Sequence, residues 1–235
     1  YAGYAEQYPG FRPHIERLAN LFALADHHLQ ASPICRPLAC DRVVEPVARR
    51  FRHPETVRRQ LHCRPEQRLI LLTMGGLARM EQGCGDEINL SPLLHRPDLV
   101  FVLTGRSREN EFSGNLRFLS QESPCYHPDL VAAADLVVGK VGYSTVAEAY
   151  HAATAFAYVA RRSFRESSSL EAFVDSHLHS WKIEESDLQS GQWLDSLHLL
   201  EDRRRIAAGR ENGADQVADS LVNILRRTGR CQTSR

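Results

Sequence analysis

The sequence predicts an α/β fold with a doubly wound parallel sheet at its core, and three observations carry this prediction. Four apolar runs and a weaker fifth have the length of strands, and several end at or near a glycine. Helical segments separate several of these runs, an alternation that is typical of parallel sheets. The runs are apolar without polar alternation, which indicates strands that are covered on both faces.

The stretch before this pattern has a different character. Apolar residues recur at helical spacing over residues 15–25, which predicts one helix. Four prolines fall within residues 33–54, and they predict an irregular crossing segment rather than a packed element. We therefore expect a domain boundary near residue 50, so that residues 1–50 and 51–235 form the two predicted units.

The strands and helices of the larger unit follow in order along the chain. The predicted strands are residues 69–73, 99–104, 136–138, 155–159 and, more weakly, 181–183. The predicted helices are residues 54–61, 130–134, 145–152, 170–177 and 214–227. Ligands of an open parallel sheet bind beyond the carboxyl ends of its strands, so a site is expected there.

Composition and charge argue against several classes of protein. The chain has 235 residues, 43% of them hydrophobic, and its 29 basic side chains balance 29 acidic ones, so no nucleic-acid partner is expected. No apolar run approaches the roughly 20 residues that span a bilayer, and no signal peptide is recognisable, which favours a cytoplasmic protein. The six cysteines form no C-x-x-C pair, and no residues stand at metal-ligand spacing, so we expect neither a metal nor a cofactor.

Two glycines, Gly75 and Gly76, follow the first strand of the larger unit. Glycines at such a position let the backbone approach a ligand closely, and their N–H groups can meet phosphate oxygens. A tight turn between the strand and its loop explains the same pair.

The most informative segment comprises residues 135–148, where a strand ends, a glycine-bearing loop follows and a helix begins. A helix start offers unpaired N–H groups and a positive dipole end to a diphosphate, and a carboxylate nearby can accept hydrogen bonds from ribose hydroxyls. The candidate binding residues are Lys140, Gly142, Tyr143, Ser144, Thr145 and Glu148. A capping box, with Ser144 or Thr145 as the cap and Glu148 in the first turn, explains the same pattern without a ligand.

A third candidate region follows the fourth strand, where Arg161, Phe164, Arg165 and Glu166 stand close together. Arginine pairs with phosphate and stacks on flat rings, so this cluster suits a ligand. A solvated surface turn explains the same charges, and spacing alone does not decide between the two.

Taken together, these segments resemble the carboxyl-terminal half of GT-B-type glycosyltransferases. The resemblance rests on the pattern D-L-V-V-x-K-x-G-Y-S-T-V-x-E of residues 135–148 and on Y-V-x-R-x-x-F-R-E of residues 158–166. It extends over roughly residues 66–227. The chain is most similar to the bacterial N-acetylglucosaminyltransferases that complete the peptidoglycan lipid precursor, and to uncharacterised glycosyltransferase-like relatives, some of them fused to sugar kinases.

The resemblance implies two Rossmann-like domains with a nucleotide-sugar held between them without a metal. Glu148 would bind ribose, the start of the following helix would meet the diphosphate, and Arg165 and Glu166 would face the sugar. Residues 1–50 would be the last part of a truncated amino-terminal α/β domain, which agrees with a sequence that does not open on methionine. The missing part would carry the acceptor site, the general base and any peripheral contact with a membrane.

The predicted function is therefore transfer of a sugar from a nucleotide-sugar, with UDP as the expected nucleotide, to an unidentified acceptor. This chain alone is expected to be inactive, and no catalytic residue is assigned within it. Two alternatives share the fold: an epimerase or hydrolase that acts on a nucleotide-sugar, and a module that binds nucleotide-sugars without catalysis.

Overall fold

The computed structural model describes residues 4–6, 8–74, 88–107, 109–120, 122–161, 164–202 and 211–227. The strands are β1 (Leu29–Ala31), β2 (Arg42–Val44), β3 (Arg68–Thr73), β4 (Leu99–Ser107), β5 (Glu111–Ser113), β6 (Leu116–Ser120), β7 (Leu136–Lys140), β8 (Ala155–Val159) and β9 (Ser180–Lys182). The α-helices are α1 (Arg12–Ala23), α2 (Pro54–Gln60), α3 (Ser91–Leu94), α4 (His127–Ala133), α5 (Tyr143–Ala152), α6 (Ser167–His177), α7 (Glu185–Ser190) and α8 (Gly213–Arg227), and 3-10 helices span Pro9–Phe11 and Gln192–Asp202. Within the described ranges, none of the helices combines the length and the apolar character needed to cross a bilayer.

A seven-stranded sheet forms the centre of the molecule, with the strand order β5-β6-β4-β3-β7-β8-β9. Every neighbouring pair is parallel except β5 and β6. Counted along the chain, the six parallel strands lie in the order 3-2-1-4-5-6, which is that of the Rossmann fold. The predicted doubly wound parallel sheet is confirmed, and its order reverses between β3 and β7.

The sheet is covered on both faces because its strands send alternate side chains into two separate cores. Leu69 and Leu71 pack with apolar residues of α2, α4, α5 and α6. Ile70 and Leu72 pack on the opposite face with residues of α3, α7 and the Gln192–Asp202 helix, including the buried Trp193. This double burial is the reason why the strand sequences lack polar alternation.

A second, two-stranded sheet precedes the large one in the sequence, and its strands β1 and β2 pair in parallel. The expectation that residues 33–54 contain no packed element is wrong for β2, whose Val44 is only 2% exposed. Prolines forbid pairing at their own positions, but Pro37 and Pro46 leave the three residues of β2 free to form ladder hydrogen bonds with β1.

The carboxyl-terminal helix α8 packs against β2 and the residues after it. The Gly213 N–H donates to the Pro46 carbonyl at 3.1 Å, and the Glu45 N–H donates to Oε1 of Gln216 at 2.8 Å. A Cβ on Gly213 would overlap the Glu45 carbonyl oxygen, so only glycine permits this close approach. The predicted domain boundary near residue 50 stays a prediction.

Candidate functional site

The loops that leave β3 and β7 start side by side at the point where the strand order reverses. Thr73, the last residue of β3, pairs with Gly139 of β7. In open α/β sheets this position is the crevice in which ligands bind. Gly75 and Gly76, the glycines predicted for the loop after β3, lie outside the described residues.

Helix α5 begins directly after β7, at Tyr143, and its N-cap is Gly142 in extended conformation without a side-chain cap. The predicted capping box is therefore wrong, because Ser144 and Thr145 lie inside the first turn and Glu148 lies in the second. An uncapped helix start leaves its first N–H groups without partners in the helix. The start of α5 thus presents these donors, together with the positive end of the helix dipole, beside the crevice.

The side chain of Tyr143 is turned toward the amino-terminal residues. Its hydroxyl donates to the Ser32 carbonyl at 3.0 Å and accepts the N–H of Val47 at 3.1 Å. Because the hydroxyl is used in this way, the backbone N–H of Tyr143 is the group that remains for the predicted diphosphate.

Among the predicted binding residues that the structure describes, Glu148 is the most enclosed, with a side chain that is 3% exposed. Its Oε1 accepts a hydrogen bond from Nε of Arg49 at 2.9 Å, and Nη2 of the same guanidinium forms an ion pair with it at 2.8 Å. Its Oε2 lies 2.9 Å from Nδ1 of His127, the first residue of α4. We call Arg49, His127 and Glu148 the Glu148 cluster, and within it both carboxylate oxygens are bonded to protein groups.

A second buried carboxylate, Asp129 of α4, holds the crossing segment beside this cluster. Its Oδ1 accepts the backbone N–H groups of Arg52 and His53. The guanidinium groups of Arg49 and Arg52 lie 5.7 and 4.8 Å from the ring centroid of Tyr126. The two carboxylates therefore anchor the crossing segment to α4 and α5, a contact for which the sequence offered no periodic signal.

Lys140 lies on the other face of the sheet from α5. It shares its side of β7 with Leu136 and Val138, the side that α7 covers. There it lines a small cavity with Glu185 and Gln189. The structure thus places Lys140 at the carboxyl edge of β7, as predicted, but does not bring its side chain onto the α5 face.

A larger cavity, of about 400 Å³, opens at the carboxyl ends of β8 and β9. Arg161, Phe164 and Arg165 line it, and the Arg161 guanidinium lies 3.3 Å from the centroid of the Phe164 ring. Glu166 is not part of the lining but is the N-cap residue of α6. The cavity is completed from the β9 side by Lys182, Ile183, Glu184 and Glu185. Three of the four predicted sugar-facing residues therefore meet at one cavity.

A buried tyrosine of β8, which is not among the residues that line this cavity, carries a hydrogen-bond donor. Tyr158 of β8 is 2% exposed, and its hydroxyl donates to the Asp175 carboxylate at 3.0 Å. Burial first, and then the bond to Asp175, raises the pKa of Tyr158 above its ordinary value.

Across the described ranges, no group of three or more His, Cys, Asp or Glu side chains is arranged to hold a metal ion.

Comparison with known proteins gives one curated relative and a set of solved structures, while no family model matches the chain. The relative is the L-arabinokinase of Arabidopsis thaliana, which is 27% identical over 175 residues. The match covers 74% of this chain but only 16% of the kinase.

Solved structures of glycosyltransferases have a similar fold. The spinosyn rhamnosyltransferase SpnG matches with a TM-score of 0.54 and 15% identity, over 86% of this chain and 56% of its own. MurG of Acinetobacter baumannii matches with a TM-score of 0.50 and 15% identity, over 87% of this chain and 62% of its own. The chain thus spans little more than half the length of these enzymes. At such identities the likeness concerns architecture, and the chain has the Rossmann-like fold of GT-B glycosyltransferases.

Proposed function

We propose that this chain is the donor-binding half of a glycosyltransferase and that it binds the nucleotide part of a UDP-sugar at the crevice between β3 and β7. The observation that carries the proposal is the uncapped start of α5, which lies at the switch point of a Rossmann-ordered sheet. The fold shared with glycosyltransferases supports it. So does a structure of SpnG, which is described as complexed with thymidine diphosphate.

The chemistry follows from the groups at this edge of the sheet. In sugar transfer the acceptor displaces the nucleoside diphosphate at the anomeric carbon, and negative charge grows on the departing diphosphate. The N–H groups from Gly142 to Thr145 would stabilise that charge without reorganisation. The cavity lined by Arg161 and Arg165 would hold the sugar next to the diphosphate. The acceptor site and the general base would be formed by residues outside this chain.

Calorimetric titration with UDP, thymidine diphosphate and uridine tests the proposal. We expect weak but measurable binding of UDP and no sugar transfer by this chain alone, because the proposed acceptor site and general base belong to residues outside it. Failure of every uridine nucleotide to bind would refute the proposal. Transfer by these residues alone would refute the assignment of the acceptor and base to another part of the protein.

A Lys140→Ala variant is expected to weaken UDP about 5-fold, the equivalent of about 1 kcal/mol, while leaving uridine almost unchanged. Lys140 ends β7 with its side chain on the face that α7 covers, so its charge acts from a distance on a diphosphate at the carboxyl edge of the sheet, whereas uridine brings no phosphate charge there. Added salt should reduce the difference between the two ligands. The test is to measure the affinities of the wild type and the variant for both ligands at two salt concentrations. Equal losses of affinity for UDP and uridine would contradict a role of Lys140 at the diphosphate.

A second candidate function is a module that binds nucleotide-sugars without transferring them. The specific observation in its favour is the match to L-arabinokinase, since a segment similar to 74% of this chain lies within a protein named for another activity. Supplying the longest natural form of the protein with UDP-sugars and candidate acceptors separates the two. Sugar transfer supports the first function, whereas binding without transfer supports the second.

A further inference from the structure

The cavity at the carboxyl ends of β8 and β9 has two walls of opposite charge. Arg161 and Arg165 lie on the wall that follows β8, whereas Glu184 and Glu185 lie on the wall that follows β9. Its volume of about 400 Å³ is within the range of small-molecule sites. The walls therefore suit a ligand that carries an anionic group at one end and hydrogen-bond donors at the other.

Two further charged residues that line the cavity, Lys182 and Glu171, neutralise each other. Nζ of Lys182 lies 3.3 Å from Oε2 of Glu171. Oε1 of the same carboxylate accepts the hydroxyl of Ser167 at 2.9 Å. Both charges are therefore committed to protein partners, and the character of the cavity is set by its two walls.

The guanidinium of Arg161 is held in a fixed orientation beside the cavity. Its central carbon lies 3.3 Å from the centroid of the Phe164 ring. At this distance the two planes lie face to face, because an edge-on guanidinium would bring a nitrogen into the ring. The N–H groups of a guanidinium point outward in its plane, so stacking covers a face and leaves these donors accessible. The backbone is fixed as well, since the Arg161 N–H donates to Oγ of Ser167 at 3.0 Å.

The charge of Arg161 lacks a counter-charge from the protein. In the part of the chain that the structure describes, no carboxylate lies at ion-pair distance from its guanidinium. The residue is already half-buried. A sugar that fills the cavity displaces water, and a charged group that loses water without gaining an opposite charge is costly. A neutral sugar would impose this cost, whereas a carboxylate on the sugar offsets it with two parallel hydrogen bonds.

We infer that the nucleotide-sugar of this site carries a sugar acid and that Arg161 binds its carboxylate. Two N–H groups along one edge of the guanidinium donate to the two carboxylate oxygens. Hydroxyl groups of the sugar donate to the acidic wall at Glu185, the first residue of α7. A sugar acid thus matches both walls, whereas a further phosphate group would bring more negative charge toward Glu184 and Glu185. This inference rests on the proposed function and names the class of sugar.

Titration with nucleotide-sugars that differ only at the sixth carbon of the sugar tests the inference. UDP-glucuronate is compared with UDP-glucose, and UDP-galacturonate with UDP-galactose, with UDP alone as the reference. We expect the wild type to bind at least one of the two acids roughly tenfold more tightly than its neutral counterpart. A wild type that binds both members of each pair equally would overturn the inference.

Three variants show whether Arg161 is the source of this preference. Arg161→Ala is expected to lose the preference while its affinity for UDP stays almost unchanged. Arg161→Lys keeps the charge but not the paired donors, so a preference of roughly two- to threefold should remain, and this reduction carries the test if Arg161→Ala does not fold. Arg52→Ala, the same change at an arginine that lies over the Tyr126 ring outside this cavity, should keep the full preference.

The outcomes separate the inference from the proposed function. If Arg161→Ala weakens UDP as much as it weakens the preferred acid, the guanidinium binds the diphosphate, and the inference is wrong while the proposed function stands. If Arg161→Ala keeps the preference, the carboxylate is bound elsewhere and the inference is wrong. If the wild type binds no uridine nucleotide, the proposed function is refuted and the sugar contact with it.

Discussion

A Gly139→Ala variant is expected to lose about 3 kcal/mol or more of unfolding free energy, because a methyl group at this position has no space. Gly139 of β7 pairs with Thr73 of β3 in the middle of the sheet. A Cβ there would overlap the carbonyl oxygen of Thr73, which is backbone and cannot turn aside as a flexible side chain can. The two strands would have to separate, and the ladder at the crevice would be disturbed. Urea unfolding followed by circular dichroism measures the loss.

Gly142 offers a matched control three residues later. A Cβ there would come no closer than 4.0 Å to the carbonyl oxygen of Lys140, and the backbone is extended, so alanine fits. Gly142→Ala should therefore cost under about 1 kcal/mol, the amount by which alanine is the poorer N-cap. Equal stability losses in the two variants would contradict the close approach of β3 and β7 at Gly139.

The second large effect is expected for Glu148→Ala, with a loss of about 1–3 kcal/mol of unfolding free energy. In the alternative interpretation of the sequence, a capping box, removal of this residue would cost only about 1 kcal/mol of unfolding free energy. The structure instead makes it the shared acceptor of Arg49 and His127, which come from the crossing segment and from α4. The upper end of the range for broken buried ion pairs does not apply, because the Arg49 side chain is 55% exposed and water can replace its partner.

Conservative variants show which part of this loss belongs to the cluster. Glu148→Gln keeps an acceptor oxygen toward His127 and should recover much of the stability, while Arg49→Ala should cost less than Glu148→Ala because only an exposed partner is lost. Denaturant midpoints of the three variants supply the comparison. A Glu148→Ala protein as stable as the wild type would show that the cluster does not hold the crossing segment.

The central sheet was predictable because its strands are buried on both faces and therefore appear as uninterrupted apolar runs. Strand β6 was not predicted, because Arg117 interrupts its run of apolar residues. That arginine is only 7% exposed because its guanidinium donates to the carbonyls of Leu61, Gly114 and Leu116. A charged residue that is buried because backbone carbonyls accept its hydrogen bonds cannot be distinguished from an exposed one by sequence periodicity.

The candidate site was predictable only in part, for a related reason. A strand end, a glycine and a helix start are local features, so the position of α5 could be expected from residues 135–148 alone. The partners of Glu148 are not local, because Arg49 and His127 reach it from other elements. The side of the sheet on which Lys140 lies was equally unpredictable. Side chains of β7 alternate between the two faces, but the sequence does not show which face α5 covers and which face α7 covers.

The hydrogen bond between Arg42 of β2 and Ser220 of α8 has a consequence for how the protein is made. It joins residues 178 positions apart, and the bond from Glu45 to Gln216 joins residues 171 apart. Neither can form until α8 has emerged from the ribosome, by which time the strands of the large sheet have already been synthesised. We therefore expect the two-stranded sheet to be among the last parts to acquire protection against hydrogen exchange, although its sequence is translated before that of the large sheet. A nascent chain halted before Gly213 should lack the hydrogen bonds that Glu45 and Pro46 form with α8, and hydrogen exchange on such a stalled chain measures the difference.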